Sequence, residues 1–142
     1  MNIDKFKHQH VQILQCITEL RACTRAGIVE NAAEIARLVV AMSSVIKLHL
    51  AAEDQVLYPA LQAGDDRALA RLGQRYQDEM LSIATSYMAF ARRWNAPHKL
   101  QADPEGFRAD ANLVLKAVYE RMRREDRDFY PAIEHAASAQ PA

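Results

Sequence analysis

A histidine and a glutamate four residues apart have residue types and a spacing that could support metal chemistry. His49 and Glu53 belong to a stretch whose apolar residues recur at alternating steps of four and three, the period of a helix packed in a bundle. Both side chains are therefore predicted on the inward face of that helix. Buried polar groups need partners, and a metal ion would satisfy both residues. The competing interpretation is a surface pair on a helix that packs through another face.

His10 is the second candidate ligand. The first helix is predicted to begin after Asn2 or Asp4 and to end near Arg25, and His10 lies on its apolar stripe. His8 is about 200° away around the helix axis and is predicted to face solvent. A single histidine on an apolar stripe is commonly a hydrogen-bonded core residue, so its value here depends on the other candidates.

An internal repeat provides the fourth candidate. Residues 53–61 align without gaps on residues 125–133, and His49 then falls on Arg121. Two helices therefore look like copies of one ligand-bearing segment, and one copy has exchanged its histidine for arginine. The repeat predicts that Glu125 points inward. Without the repeat, Glu125 would be interpreted as one residue of a solvent-exposed run of charges.

Together these positions give two imidazoles and two carboxylates in one core. Nitrogen and oxygen ligands of this kind suit iron, zinc or manganese better than a metal that prefers sulfur. The predicted metal ligands are His10, His49, Glu53 and Glu125. Three accessory residues are predicted at or near the same level, namely Tyr76, Met80 and Arg121.

The second predicted helix contains the His49 and Glu53 pair. Asn31 is its candidate N-cap, and the helix is predicted to end near Gly64. Pro59 lies in the last turn, where it should bend or loosen the helix just beyond the polar pair. The predicted seam consists of Ile35, Val39, Met42, Ile46, His49, Glu53, Val56 and Ala60.

Two further helices complete an all-α fold. Asp65 and Asp66 are candidate caps of the third helix, and Asp103 followed by Pro104 is predicted to start the fourth. The seam of the fourth helix includes Asp128. The predicted bounds are about 67–94 and 104–135, and residues 136–142 are expected to form a frayed tail. Four amphipathic helices with short loops predict an antiparallel up-down-up-down four-helix bundle over residues 1–135.

Composition excludes several functional classes. The chain has 142 residues, with eighteen basic and eighteen acidic side chains, so it lacks the positive charge expected of a nucleic-acid binder. No apolar run of membrane-spanning length is predicted, and the N-terminal residues lack the apolar region of a secretory signal. Cys16 and Cys23 are two helical turns apart, too far to form a disulfide along one helix. A cytoplasmic protein that does not engage membranes is therefore expected.

The ligand pattern resembles that of a known family. The hemerythrin-like, or HHE cation-binding, domain carries a histidine in helix one, a His-x-x-x-Glu-x-x-x-x-x-Pro motif in helix two, and a matching glutamate and proline in helix four. The corresponding residues here are His10, then His49, Glu53 and Pro59, then Glu125 and Pro131. The resemblance extends over about residues 6–133.

The resemblance implies a non-heme di-iron site in which both glutamates bridge the irons. One iron would use His10 and His49, whereas the other would use histidines of helices three and four. Met80 and Arg121 stand at those last two positions. Tyr76 occupies a place where some members carry a further histidine. One half-site therefore matches the family, and the other lacks its nitrogen ligands.

Arg121 suggests what replaces the second iron. A guanidinium is always charged and does not bind a metal. One helical turn from Glu125, it is predicted to form a two-pronged ion pair with that residue and to reach Glu53. A second dication beside this positive charge would be electrostatically unfavourable in a low-dielectric core.

Two functional hypotheses follow. The first is a metal-binding protein that holds one iron ion, or another divalent ion, and senses or handles oxygen, nitric oxide or iron. The second is a metal-free helical interaction or signalling module in which Arg121 pairs with the former ligand carboxylates, with a homodimer through the face of Cys16 and Cys23 as one arrangement. An enzyme is less favoured, because the sequence shows no separate catalytic constellation.

Overall fold

The computed structural model describes residues 1–139, and these residues form helices and connecting turns without a strand. In chain order the elements are α1 (Asp4–Ala26), α2 (Ala32–Ala52), π1 (Glu53–Leu57), α3 (Tyr58–Ala63), α4 (Arg67–Trp94), α5 (Pro97–Ala102), α6 (Pro104–Arg124), π2 (Glu125–Phe129) and α7 (Tyr130–Ala139). The all-α prediction is confirmed. The segments α2, π1 and α3 follow one another directly, as do α6, π2 and α7.

Helix ends follow the predicted caps in most places. The Asp66 carboxylate accepts a hydrogen bond from the Leu69 backbone N–H at 2.9 Å, and Asp103 accepts one from Gly106 at the same distance. Asn31 is the N-cap residue of α2, as predicted. Its side chain makes no cap hydrogen bond to α2 and instead donates to the Gly27 carbonyl at 2.8 Å, because the preceding turn offers that acceptor.

Each copy of the internal repeat contains one π-helical turn. The backbone N–H of Tyr58 donates to the Glu53 carbonyl, and that of Tyr130 donates to the Glu125 carbonyl. One tyrosine separates each turn from a proline, which is Pro59 in one copy and Pro131 in the other. A proline ring collides with the carbonyl four residues earlier and removes one donor, and a widened turn relieves that conflict. The predicted loosening at Pro59 is therefore confirmed.

The extra residue in each π turn shifts the buried seam by one position. Val56, predicted to face inward, is 54% exposed, and Ala60 is exposed as well. The neighbouring Leu57 and Tyr58 take their place in the core. In the second copy, the predicted seam residue Asp128 is exposed, while Phe129 and Tyr130 are fully buried. These seam predictions were wrong because a regular helical period does not include an inserted residue.

Two other predicted boundaries differ from the structure. Residues 97–102, which lie between the predicted third and fourth helices, form the short helix α5, and Leu100 from this helix is completely buried. The last helix, α7, reaches Ala139, so residues 136–139 of the predicted frayed tail are helical. Residues 140–142 of that tail lie outside the described residues.

The buried apolar side chains form two clusters. The larger one includes Ile13, Ile46 and Val118, and the smaller one includes Phe6 and Phe129. Along α1, residue 10 lies between members of the two clusters, and residues 49–53 and 121–125 occupy the corresponding places on their own segments. A layer of buried polar residues therefore separates the clusters. The layer contains His10, His49, Glu53, Arg121 and Glu125.

One composition-based expectation needs correction. By length and composition alone, the helical stretch Ala32–Ala63 could cross a membrane, so the prediction that no apolar run has this length was wrong. In the structure, 44% of its most apolar window is buried. The core helix of a soluble protein has the same composition, so this stretch is weak evidence for a membrane segment.

The adjacent aspartates before α4 provide a direct test of the cap. We expect Asp66→Ala to lower the free energy of unfolding by about 1 kcal/mol, because it leaves the first turn without its side-chain acceptor. Asp65→Ala is the matched control, since Asp65 is also exposed but is not the N-cap residue of α4. Chemical denaturation of both variants measures the difference. Equal losses of stability would contradict the assignment of the cap to Asp66.

Candidate metal centre

The four predicted ligands all lie in the buried polar layer. His10 comes from α1, His49 from α2, Glu53 from π1 and Glu125 from π2. The exposed fraction is 1% for His10 and zero for the other three. The spacing of four residues places His49 above Glu53 on one helical face, as predicted. The layer is thus assembled from three separate stretches of the chain.

The ligand atoms converge around the Nε2 atom of His10. This nitrogen lies 3.1 Å from His49 Nε2 and 3.0 Å from Glu125 Oε2. One ligand atom from each of these three residues lies within 4.8 Å of the other two. Two ligand atoms that each lie about 2.1 Å from one ion, with a ligand–ion–ligand angle near 90°, are roughly 3 Å apart. The spacing around His10 therefore fits the coordination of a shared cation.

Glu53 approaches the group through His49. Its Oε1 atom lies 3.1 Å from His49 Nε2, whereas the Glu125 Oε2 atom is 4.0 Å from the same nitrogen. Glu53 is not one of the three residues whose ligand atoms are mutually close. Three of the four predicted ligands therefore form one compact group, and the fourth contacts its edge.

The second nitrogen of each imidazole is held by another side chain. His10 Nδ1 lies 2.8 Å from Asp126 Oδ1, and His49 Nδ1 lies 2.8 Å from Gln9 Oε1. Because a carboxylate and an amide oxygen are acceptors, both Nδ1 atoms donate a hydrogen in the neutral tautomer. Both Nε2 atoms then direct a lone pair toward the centre of the layer. Such outer contacts are typical of metal-bound histidines.

Several buried polar atoms in this layer have no hydrogen-bond partner among the described residues. They include both carboxylate oxygens of Glu53 and the Oε2 atom of Glu125. Burying unpaired polar atoms is unfavourable. A cation near the His10 and His49 lone pairs would satisfy these oxygens as well, so the residues present fit a metal ion.

The surroundings raise the pKa of some groups in the layer and lower the pKa of another. Burial lowers the pKa of His49, but the nearby carboxylates of Glu125 and Glu53 outweigh that effect and raise it to about 9. Burial and the nearby charge of Glu125 raise the pKa of Glu53. For Glu125, burial is outweighed by the close contacts of both histidines and by the charge of Arg121, so its pKa is held well below the usual range. Glu125 is the persistent anion of the layer.

Arg121 contacts the Glu125 carboxylate through the oxygen that does not face the histidines. Its Nε atom donates to Glu125 Oε1 at 3.0 Å, and its Nη2 atom donates to the main-chain carbonyl of Tyr76 at 2.5 Å. Its Nη1 atom lies 3.7 Å from Glu79. The predicted ion pair with Glu125 is confirmed. It involves one guanidinium nitrogen, however, so the two-pronged geometry was wrong.

Of the other two accessory residues, Tyr76 packs against this arginine. The Tyr76 ring stacks on Phe129 with centroids 4.3 Å apart, and the Arg121 guanidinium lies 4.5 Å from the Tyr76 centroid. Met80 is buried in the larger apolar cluster. These contacts make Arg121 of α6 part of a packed cation–π unit. A ligand role for Tyr76 or Met80 stays a prediction.

Three residues of the site were missed by the sequence analysis. Gln9 and Asp126 contact the histidine Nδ1 atoms, and the Tyr130 hydroxyl lies 2.9 Å from His10 Nε2. The repeat contained a signal for two of them, because both copies carry Glu-Asp and Tyr-Pro at matching positions. Gln9 had no comparable signal, since its role depends on the approach of α2 to α1.

Comparison with protein families agrees with this geometry. The family described as the hemerythrin HHE cation binding domain matches residues 1–133. Comparisons with curated proteins and with solved structures find no match. The family match covers nearly the whole 142-residue chain, and it includes every residue of the buried polar layer. The chain is therefore a member of the hemerythrin HHE cation-binding domain family.

Proposed function

We propose that this protein binds one metal ion through His10, His49 and Glu125, with Glu53 as a fourth ligand. The observation that carries this proposal is the convergence of two imidazole Nε2 atoms and a buried carboxylate. Asp126 and the neighbouring glutamine on α1 already hold the imidazoles in the orientation that a metal requires. The ion would replace unpaired lone pairs with coordinate bonds.

The charge of the second half-site supports a single ion. Arg121 is 2% exposed and contributes a permanent positive charge 3.0 Å from Glu125. A second dication at this side would meet that charge in a poorly solvated core. Met80 supplies a thioether there, which is a soft ligand and a weak one for iron in a carboxylate environment. The proposed centre is therefore mononuclear.

Iron is the proposed metal, and ligand sensing or iron handling is the proposed role. Membership in a cation-binding family and the nitrogen and oxygen ligand set support iron over a metal that prefers sulfur. The proposed exogenous partner is oxygen or nitric oxide, small enough to reach a buried centre. A binding role is favoured over catalysis because the described residues offer no second reactive constellation.

The wider arrangement forms part of the same proposal. Short connections between the long helical stretches, such as residues 27–31 and 64–66, support an antiparallel up-down-up-down bundle. Two free, half-buried cysteines support a reducing, cytoplasmic location. Equal numbers of basic and acidic residues support a function without nucleic acid. Most of the polar face of the ligand-bearing helices would then remain in water.

A metal-free interaction module is the second candidate. The observation that favours it is the buried ion pair between Arg121 and Glu125, which already neutralises one carboxylate. In this alternative, a proton shared by His49 and Glu53 neutralises the Glu53 carboxylate. The two candidates differ in what occupies the space between the imidazoles, so metal content separates them.

Removing one ligand tests the metal proposal. Protein purified without oxygen and supplied with ferrous iron should retain about one ion per chain, and His49→Ala should retain almost none because both Nε2 and its contact to Glu53 are lost. His8→Ala is the matched control, since His8 is exposed on the same helix as His10. Elemental analysis after gel filtration measures the ratio. Folded wild-type protein without metal would instead support the second candidate.

Metal affinity should rise with pH. Below about pH 9 the ion-free protein holds a proton on His49, and an incoming ion must displace it. Because His49 releases one proton for each ion, this residue alone should increase the affinity by up to roughly tenfold per pH unit between about pH 6 and pH 8.5. Calorimetric titration with Zn²⁺ in two buffers of different ionisation enthalpy would count the released protons. An affinity independent of pH would contradict this proton competition.

Restoring the missing histidines tests the proposed loss of the second site. The double variant Met80→His, Arg121→His should raise iron content from about one toward about two ions per chain, because it adds two nitrogen ligands and removes a fixed positive charge. The control Met80→Leu, Arg121→Leu removes the same side chains without adding ligands. A folded double-histidine variant that gains no iron would show that these two positions do not limit the second site.

A further inference from the structure

The hydroxyl of Tyr130 lies against the ligand group. Its oxygen is 2.9 Å from His10 Nε2, and the two rings are stacked with centroids 4.9 Å apart. Tyr130 is completely buried, so this hydroxyl is shielded from bulk water. It is thus the third neighbour of the nitrogen that also contacts His49 and Glu125.

The π turn explains why this tyrosine reaches the centre. In a regular α-helix, a residue five positions after Glu125 would point about 140° away from it. The hydrogen bond from the Tyr130 backbone N–H to the Glu125 carbonyl widens the turn and brings both side chains to the same side. The widened turn therefore supplies a second oxygen from the segment that already supplies a carboxylate.

The hydroxyl and an ion would use the same lone pair of His10. Because Nδ1 donates to Asp126, Nε2 has one lone pair, and the Tyr130 hydroxyl donates to it when no ion is bound. An ion on Nε2 displaces this hydrogen bond. The tyrosine oxygen then remains about 3 Å from the nitrogen, which is the separation expected between two ligands of one ion.

We infer that Tyr130 is a further oxygen ligand of the bound ion, and this inference rests on the proposed metal site. On coordination, the O–H bond of Tyr130 breaks, an oxygen–metal bond forms, and the proton passes to solvent. Together with Glu53 and Glu125, the phenolate gives the centre three negatively charged oxygen ligands. Three anions favour a ferric ion over a ferrous one.

The internal repeat provides a matched control. Tyr58 occupies the position of Tyr130 in the first copy and also follows a π turn. It is buried as well, and its hydroxyl has no hydrogen-bond partner among the described residues. Its hydroxyl therefore makes no hydrogen bond to His10 or His49 within the described residues, so the two tyrosines differ in their relation to the imidazoles.

The visible absorption of the ferric protein tests the inference. Protein loaded with ferrous iron is oxidised with ferricyanide, which takes one electron from each iron. A phenolate on ferric iron produces a charge-transfer band with tyrosinate vibrations in resonance Raman spectra. We expect the band in wild-type protein and in Tyr58→Phe, and its loss in Tyr130→Phe together with an affinity for iron at least about tenfold weaker.

Each other outcome overturns the inference in a recognisable way. Wild-type protein that binds iron without the band leaves the metal site in place but removes Tyr130 from the ligand set. The same follows if the band persists in Tyr130→Phe, disappears in Tyr58→Phe alone, or if Tyr130→Phe binds iron more tightly. Wild-type protein without iron would defeat the metal proposal and this inference together. If Tyr130→Phe does not fold, the spectra of wild-type protein and Tyr58→Phe decide the matter, since the inference requires the band in both.

Discussion

The structure depends on how charge is balanced in a polar layer between two apolar clusters. Two imidazoles and two carboxylates are almost completely removed from water, and isolated buried charges are strongly unfavourable. Arg121 balances Glu125 from one side. Glu53 has no such partner, and His49 is its nearest cationic group at 3.1 Å. A proton or a metal ion between the histidines completes this balance, so the core itself requires a positive species at the position where a ligand site would form.

Two prolines shape this layer from outside it. Each follows a π turn that begins with a layer glutamate. The widened turn turns the tyrosine toward the glutamate and sends the next apolar residues into the smaller cluster. The clash between each proline ring and the preceding turn therefore determines which oxygen atoms face the ligand group. It also determines which apolar side chains pack beside the polar layer. π turns are frequent at functional sites, and both π turns here begin at a glutamate of the polar layer.

Much of the site was predictable, and the part that was not has a physical reason. Steps of four and three residues placed His49 and Glu53 inward, and the repeat did the same for Glu125 and Arg121. A regular helical period could not reveal the shift at Asp128, because the inserted residue in π2 lies outside that period. Gln9 depends on contact between two helices, which spacing within one helix does not report. Sequence therefore identified the charged groups better than the neighbours that orient them.

The two copies of the repeat have acquired different electrostatic roles. In the second copy, the Arg121 charge is constant and its guanidinium is held by Glu125, the Tyr76 carbonyl and the Tyr76 ring. Glu125 consequently stays ionised in the presence or absence of an ion. In the first copy, the pKa values of His49 and Glu53 are raised, so these are the groups that would exchange a proton for a metal in the proposed centre. In the proposed centre, Arg121 thus keeps Glu125 ionised, whereas His49 and Glu53 in the first copy change their charge when an ion binds.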